Sequence, residues 1–448
     1  MLDLVIKFYR GNIMDLLFGV GGALLTLFIA IYNGYFIGYA LILCLLIFIV
    51  IGVRRGYPLK DLFIMAFNGG RKSFVVLKIF LLIGIITSTW MASGTVPGIV
   101  SYSMKYMNPD FFILYAFLIT SLISFLLGTS FGTVSTVGVA FIVMAKGGNV
   151  NLDITAGAII SGAYFGDRIS PMSSSANLVA NLTDTDLYNN IKNMFKTGYL
   201  AVIACIIIYG FLSFNNPLNL VENELVPQIY NTFIISPIVL LPTAVILVFS
   251  LFKINVKISM LVSILTAMVL STTIQGYSLS QLFNIMINGF YLENSNPLSE
   301  IIKGGGVLSM GNAVIVVFIS CAMAGVFEET AMLNKIENIL IKANSRTKIF
   351  FYTNIVSFFT AAIGSNQSIS VVLTNQLMSK TYSSSGIEKE HLAIDLENSS
   401  IVLAPLIPWN IAALIPTTTM MVSNYGYIPY SYFLFLIPLL NFFTLRKK

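Results

Sequence analysis

Charged residues are scarce in this sequence. Only 10% of its 448 residues are Asp, Glu, Lys or Arg, whereas a soluble domain carries about 25%. Mean hydropathy is +0.86, and several apolar windows reach the roughly 20 residues that cross a bilayer. This composition excludes a soluble globular protein and predicts an all-α polytopic membrane protein. No basic run indicates nucleic-acid binding, so the net charge of +6 is interpreted as a bias of the cytoplasmic loops.

Histidine and cysteine are almost absent as well. With His391 as the one histidine, the two histidines on one helix face that a zinc protease needs are excluded. A serine hydrolase needs a base beside its nucleophile, and no lysine or histidine adjoins the hydroxyls of 128–136 or 166–177. The cysteines lie in apolar stretches and predict buried thiols without a disulfide or a metal site: Cys44, Cys205 and Cys321. We therefore predict a protein that is not an enzyme and has no cofactor.

What the sequence does contain is a set of polar breaks in apolar spans. The segment 166–177 places an acid and a base between Gly166 and Pro171, and a glycine-punctuated hydroxyl run lies at 128–133. Similar segments return in the second half, at 364–370 and at 398–410. Broken backbone is tolerated at membrane depth where protein buries it or where it lines a wet cavity. Paired breaks in two halves are typical of the binding site of a secondary transporter.

The predicted site consists of polar residues in and beside these breaks. Hydroxyl and carbonyl oxygens can replace the water around an alkali cation, and half-helix N-termini can hold a carboxylate. Each hydroxyl-rich stretch has close helix packing as its alternative explanation. The substrate- or ion-binding candidates are Thr129, Ser130, Thr133, Asp167, Ser170, Ser173, Ser174, Asn177, Ser365, Asn366, Gln367, Ser368, Glu397, Asn398, Ser399, Trp409 and Asn410.

Four carboxylates are candidates for binding the cation or the proton: Asp167, Glu328, Glu329 and Glu397. An ionisable residue inside a span is functional by default, because burying it costs several kcal/mol. For Asp167 and Arg168 the alternative is a membrane-facing turn from which both reach water. A salt bridge between these two is not expected, because adjacent helical residues do not face each other. For Glu328 and Glu329 the alternative is a solvated helix end.

The loop charges predict two repeats of opposite orientation. Basic loops, taken as cytoplasmic by the positive-inside rule, contain Lys7, Arg10, Arg54–Lys72, Lys253, Lys257, Lys335, Lys342, Arg346 and Lys348, and the tail Arg446–Lys448. The base-poor loop 275–305 corresponds to the basic loop 54–72 of the first half, so the bias has changed sides. We predict repeat 1 at 1–214, a linker at 215–232 and inverted repeat 2 at 233–448, with both termini in the cytoplasm. In the first repeat, 183–196 is predicted to be a polar connector before a last span at 197–213.

Three motifs resemble the signatures of the NhaC-type Na⁺/H⁺ antiporters. They are Ser161–Arg168 with Ser170–Ser173 and Asn177, then Leu396–Ser399 with Pro405–Asn410, and the earlier Thr87–Thr95. Their order is right, and the resemblance covers nearly the whole chain. It implies a cation-coupled antiporter of the bacterial inner membrane, with inverted repeats, using Na⁺ and/or H⁺ as coupling ions. By fold analogy it also implies an elevator-like mechanism and a homodimer.

Two positions depart from the family pattern as the resemblance gives it. Ser174 and Asn398 stand where aspartate is common, and neither can titrate. One of Asp167, Glu397, Glu328 and Glu329 would then have to carry the proton. Alternatively, the chain is a Na⁺- or H⁺-coupled transporter of a small organic solute, an amino acid or carboxylate, whose own charge replaces the lost carboxylates. A channel is a further alternative, but paired breaks favour a transporter that works by alternating access.

Overall fold

The computed structural model describes residues 13–219, 225–252, 254–330, 340–341, 343 and 345–446. Within these residues six helices are long and apolar enough to cross a bilayer, and there are up to nine spans when each bent pair counts as one. The prediction of an all-α polytopic membrane protein is confirmed. Part of the loop-charge argument lies outside the described residues, namely Lys7, Arg10, Lys253, Lys335, Lys342, Lys447 and Lys448.

The helices of the first half follow the predicted breaks. They are α1 (Ile13–Tyr32), α2 (Ile37–Arg54), α3 (Leu59–Lys72), α4 (Phe74–Ala92), α5 (Thr95–Tyr106), α6 (Phe112–Leu127), α7 (Ser130–Gly147), α8 (Leu152–Ile169), α9 (Ser174–Thr183) and α10 (Leu187–Asn215). One prediction is wrong here, because 187–196 is no connector. Asp186 caps α10 by accepting a hydrogen bond from the backbone N–H of Asn189, so the helix starts there and continues without a break into the apolar span.

The second half contains α11 (Leu225–Thr232), α12 (Leu241–Leu251), α13 (Val256–Thr273), α14 (Leu279–Asn288), α15 (Gly311–Glu329), α16 (Arg346–Gly364), α17 (Gln367–Ser384), α18 (Lys389–Glu397), α19 (Ser400–Leu403), α20 (Ile411–Met420) and α21 (Tyr432–Arg446). The predicted linker 215–232 therefore includes a helix, α11. Between α18–α19 and α20 the chain bends by 48°, and between α4 and α5 it bends by 64°. The predicted break at 398–410 is thus a bent helix pair.

Two helical hairpins turn at residues in the left-handed region of backbone conformation. Gly128, with φ of 65°, joins α6 to α7, and Ser365, with φ of 47°, joins α16 to α17. A side chain at Gly128 would also lie 2.5 Å from the Cβ of Met172, so this turn requires glycine on both grounds. Ser365 adopts the same conformation without that freedom, which costs about 1–3 kcal/mol. Both turns are therefore held in place by the structure around them.

Helices α6 and α8 cross at close range because glycines face the contact. A Cβ at Gly162 would lie 2.5 Å from the carbonyl oxygen of Phe117, and one at Gly166 would lie 2.3 Å from the backbone nitrogen of Phe125. Small residues at such crossings let membrane helices approach backbone to backbone. Gly166 precedes Asp167 directly, so this contact fixes where that carboxylate lies.

We expect Gly166→Ala to destabilise the protein by about 1–3 kcal/mol, the usual cost of overpacking, and to impair transport by displacing α8. Gly210→Ala is the matched control, because a Cβ at Gly210 meets nothing within 4 Å. That variant should be neutral or slightly stabilising. Thermal unfolding of both purified variants checks this prediction. Equal stability of the two would show that the crossing is not tight.

Candidate functional site

The hairpin turns of both halves, the first break and the start of α20 meet at one cavity of about 520 Å³. Seven of the predicted site residues line it: Thr129, Ser130, Asp167, Ser174, Asn366, Gln367 and Ser368. The start of α20, directly after the second break, contributes Ile411 and Ala412 to the wall. Ile79 and Ile83 of α4 and Met260 of α13 add an apolar side. The first and second halves of the sequence thus form one pocket.

Asp167 is the acid of this cavity. It is 5% exposed, and it lies in the last turn of α8, which ends at Ile169 before Pro171. The first break therefore begins at Ser170, later than Gly166, because proline and not glycine stops the helix. The hydroxyl of Ser173 donates to Oδ1 of Asp167 at 2.8 Å, and that of Ser130 donates to Oδ2 at 3.2 Å. The carboxylate thus joins the start of α7, the end of α8 and the start of α9.

Arg168 has partners on another side of α8. Its guanidinium is 1% exposed and donates to Oδ1 of Asn398, to Oγ1 of Thr197 at 3.2 Å and to the carbonyl oxygen of Met194 at 3.3 Å. The expectation that Asp167 and Arg168 do not pair is confirmed. The alternative, a membrane-facing turn from which both reach water, is wrong, because both side chains are buried. Arg168 ties the first break to Asn398 of the second.

Glu397 is fully buried, and neither carboxylate oxygen has a hydrogen-bond donor among the described residues. It interacts electrostatically with Arg168 and, unfavourably, with Asp167. It does not line the cavity. A buried carboxylate without donors is rare and calls for a functional explanation. The nearby Ser399 accepts a hydrogen bond from the hydroxyl of Ser357 at 2.9 Å and likewise does not line the cavity.

Trp409 and Asn410 complete the end of α16. The indole N–H of Trp409 donates to the carbonyl oxygen of Ala362 at 2.7 Å, and the amide of Asn410 donates to that of Ala361 at 2.8 Å. These carbonyls lie in the last turn of α16 and also accept from the backbone N–H and the hydroxyl of Ser365, so both are satisfied, as backbone at membrane depth must be. These two predicted site residues therefore attach the second break to α16, and neither lines the cavity.

The remaining predicted residues make local bonds or lie elsewhere. Thr133, Ser170, Asn177 and Ser365 bond backbone within their own segments. Asn177 donates to the carbonyl oxygen of Ser173 at 2.7 Å, within its own segment, whereas Asn410 donates to a carbonyl oxygen of α16. Glu328 and Glu329 are exposed at the end of α15 and do not line the cavity.

Sequence reasoning missed several lining or linking residues. Lys257, in the first turn of α13, lines the cavity with Asn255 and Ser175. The hydroxyl of Tyr164 donates to the carbonyl oxygen of Ala412 at 2.8 Å and so joins α8 to α20. For Tyr164 its place in the first motif was a usable signal. For Lys257 the sequence shows only a basic turn, and nothing in it indicates a fold back towards the breaks.

The early motif at Thr87–Thr95 has a structural part. The indole of Trp90 donates to Oγ of Ser263 at 2.9 Å, and the hydroxyl of Thr95 donates to the carbonyl oxygen of Val239 at 2.7 Å. These bonds join α4 and α5 to the second half and do not reach the cavity. Among the described residues, no three His, Cys, Asp or Glu side chains group as metal ligands.

Comparison with known proteins shows which family the chain resembles. A Na⁺/H⁺ antiporter family model matches residues 162–445. The Na⁺/H⁺ antiporter NhaC of Alkalihalophilus pseudofirmus is 26% identical over 90% of this chain and 88% of its own length. A malate-2H⁺/Na⁺-lactate antiporter of Bacillus subtilis is 28% identical over 88% and 86%, and an uncharacterised Na⁺/H⁺ antiporter of Haemophilus influenzae is 28% identical over 80% of both. The family model covers more than half of the chain and includes both breaks, and on this ground the chain belongs to the Na⁺/H⁺ antiporter family.

Proposed function

We propose that this antiporter exchanges Na⁺ for H⁺ by alternating access, with the cavity as its binding site. The observation that carries the proposal is Asp167, a buried carboxylate on the cavity wall with the hydroxyls of Ser130 and Ser173 on its oxygens. Carboxylate and neutral oxygens suit a small hard cation. Ionised, Asp167 attracts Na⁺; protonated, it does not. One group can therefore serve both ions in turn.

The other proposed ligands are neutral oxygens on the wall of the same cavity. Thr129 and Ser174 come from the first half, and Asn366, Gln367 and Ser368 from the second. In this assignment Arg168, Asn398, Trp409 and Asn410 hold the breaks in position and do not touch the ion. Glu397 lies outside the cavity, and its charge acts on Asp167 without contact with the ion.

The order of elements supports a repeat architecture with the boundaries 1–214 and 233–448. In each half a helical hairpin, α6–α7 or α16–α17, precedes a broken helix, α8–α9 or α18–α20, and a single last helix, α10 or α21. We propose that the two repeats are inverted, joined by 215–232, that both termini lie in the cytoplasm, and that the protein works as an elevator-like homodimer in a bacterial inner membrane.

Proteoliposomes containing a pH-sensitive dye test the function. A pulse of external NaCl should make the lumen alkaline with saturable kinetics, because Na⁺ entering is exchanged for H⁺ leaving. KCl at the same concentration should have no effect. An equal response to both salts, or ohmic single-channel current, would reject the antiporter.

A second candidate is cation-coupled exchange of a small organic solute. Ser174, a neutral residue, lines the cavity, and Asn398, also neutral, faces Arg168, so neither supplies a negative charge. The cavity volume of about 520 Å³ is within the roughly 300–1,000 Å³ typical of small-molecule sites. The same proteoliposomes preloaded with amino acids or carboxylates distinguish the two candidates.

A further inference from the structure

The cavity has two charged side chains on its wall, and they come from different halves of the chain. Asp167 belongs to α8 and Lys257 to α13. The Lys257 side chain is half-buried. Its ammonium group has no ion pair or hydrogen bond with any residue that the structure describes. The carboxylate is thus bonded by serines, while the lysine faces the cavity without a partner.

The charges of these two residues limit what the cavity can hold. With Asp167 ionised and Lys257 protonated, the lining is neutral. A single Na⁺ would leave one uncompensated positive charge, which is costly in a poorly solvated site. A Na⁺ bound together with one carboxylate restores neutrality. A proton on Asp167 bound together with the same carboxylate does so as well.

The size of the cavity and the hydrogen-bond donors on its wall also favour a bound carboxylate. Its volume of about 520 Å³ is far larger than an ion with a few waters of about 30 Å³ each. Gln367, on the wall, has a buried Nε2 without an acceptor among the described residues. An amide and an ammonium are suitable donors for a carboxylate. The apolar side formed by Ile79, Ile83 and Met260 suits a short carbon chain.

We propose that Lys257 determines specificity: it supplies the positive charge for a small organic monocarboxylate that occupies the cavity together with the coupling cation, with Gln367 as a second donor. This inference rests on the proposed antiport at the same cavity and adds the class of solute. The alkyl part of the solute packs against Ile79, Ile83 and Met260, and the cation stays at Asp167.

The test is thermal unfolding of the purified full-length protein, with Na⁺ and K⁺ compared in chloride and with acetate, propionate and lactate as probes. At fixed Na⁺ we expect a carboxylate to raise the unfolding temperature and to lower the apparent Kd for Na⁺ by about tenfold, because each ion neutralises the charge that opposes the other. Lys257→Gln should lose this carboxylate effect. The same variant should bind Na⁺ alone several-fold more tightly, because a like charge has been removed.

Lys60→Gln is the matched control, because Lys60 is an exposed lysine that lines no cavity described above; it should respond like the parent. Lys257→Arg should keep part of the carboxylate effect. The inference is overturned if the parent responds to Na⁺ but to no carboxylate, or if Lys257→Gln keeps the carboxylate effect. If the parent shows no difference between Na⁺ and K⁺, the proposed function itself fails.

Discussion

Replacing Asp167 by asparagine should abolish Na⁺-driven proton movement while folded protein remains in the membrane. Asparagine has nearly the same shape, and its carbonyl oxygen can still accept a hydrogen bond from Ser173. What it removes is the acid that lines the cavity. A charge-assisted interaction is worth about 1.5–3 kcal/mol, and about 1.4 kcal/mol corresponds to tenfold. We therefore expect the apparent affinity for Na⁺ to fall by at least about tenfold and coupling to disappear, because an amide has no proton to exchange.

Proteoliposome exchange and Na⁺-dependent thermal stability measure the two parts of this result. Asp184→Asn is the matched control: Asp184 is exposed and lies 2.8 Å from Lys389 in a surface ion pair, and such pairs contribute about 0–1 kcal/mol. It should leave transport unchanged. An Asp167→Asn variant that exchanges Na⁺ for H⁺ with normal kinetics would remove Asp167 from the mechanism.

The first break was predictable because its signals are local. Pro171 stops α8, Ser173 caps α9, and an acid in an apolar span has few roles other than a functional one. These short-range rules were enough to identify Asp167 and its serine neighbour. The hairpin turns at Gly128 and Ser365 were indicated in the same way, by small and polar residues in an apolar context.

The parts that were not predictable depend on contacts between distant segments. That Asn398 would accept from Arg168, or that Trp409 and Asn410 would bond the carbonyls of Ala362 and Ala361, requires knowing which helix ends meet. A polar residue near a break looks the same whether it lines the cavity or caps a neighbouring helix. For that reason the predicted list joined both kinds, and Lys257 was left out of it.

Removing the charge of Arg168 should destabilise the protein strongly. Arg168 and Glu397 are both fully buried and interact electrostatically. Taking one partner from a buried charge pair leaves the other charge uncompensated, which costs about 3–5 kcal/mol. We expect Arg168→Gln to lower the free energy of unfolding by about that amount. Chemical denaturation of the purified protein in bicelles measures it.

A double-mutant cycle separates the charge from the hydrogen bonds of Arg168. In Arg168→Gln/Glu397→Gln the uncompensated carboxylate is gone, so much of the lost stability should return, although Asn398 and Thr197 still lose their donor. The control Lys389→Gln removes a surface charge and should cost less than about 1 kcal/mol. If the double variant is as unstable as Arg168→Gln alone, the hydrogen bonds to Asn398, Thr197 and Met194 dominate. Glu397 would then not be the charge that Arg168 compensates, because neutralising it would have relieved nothing.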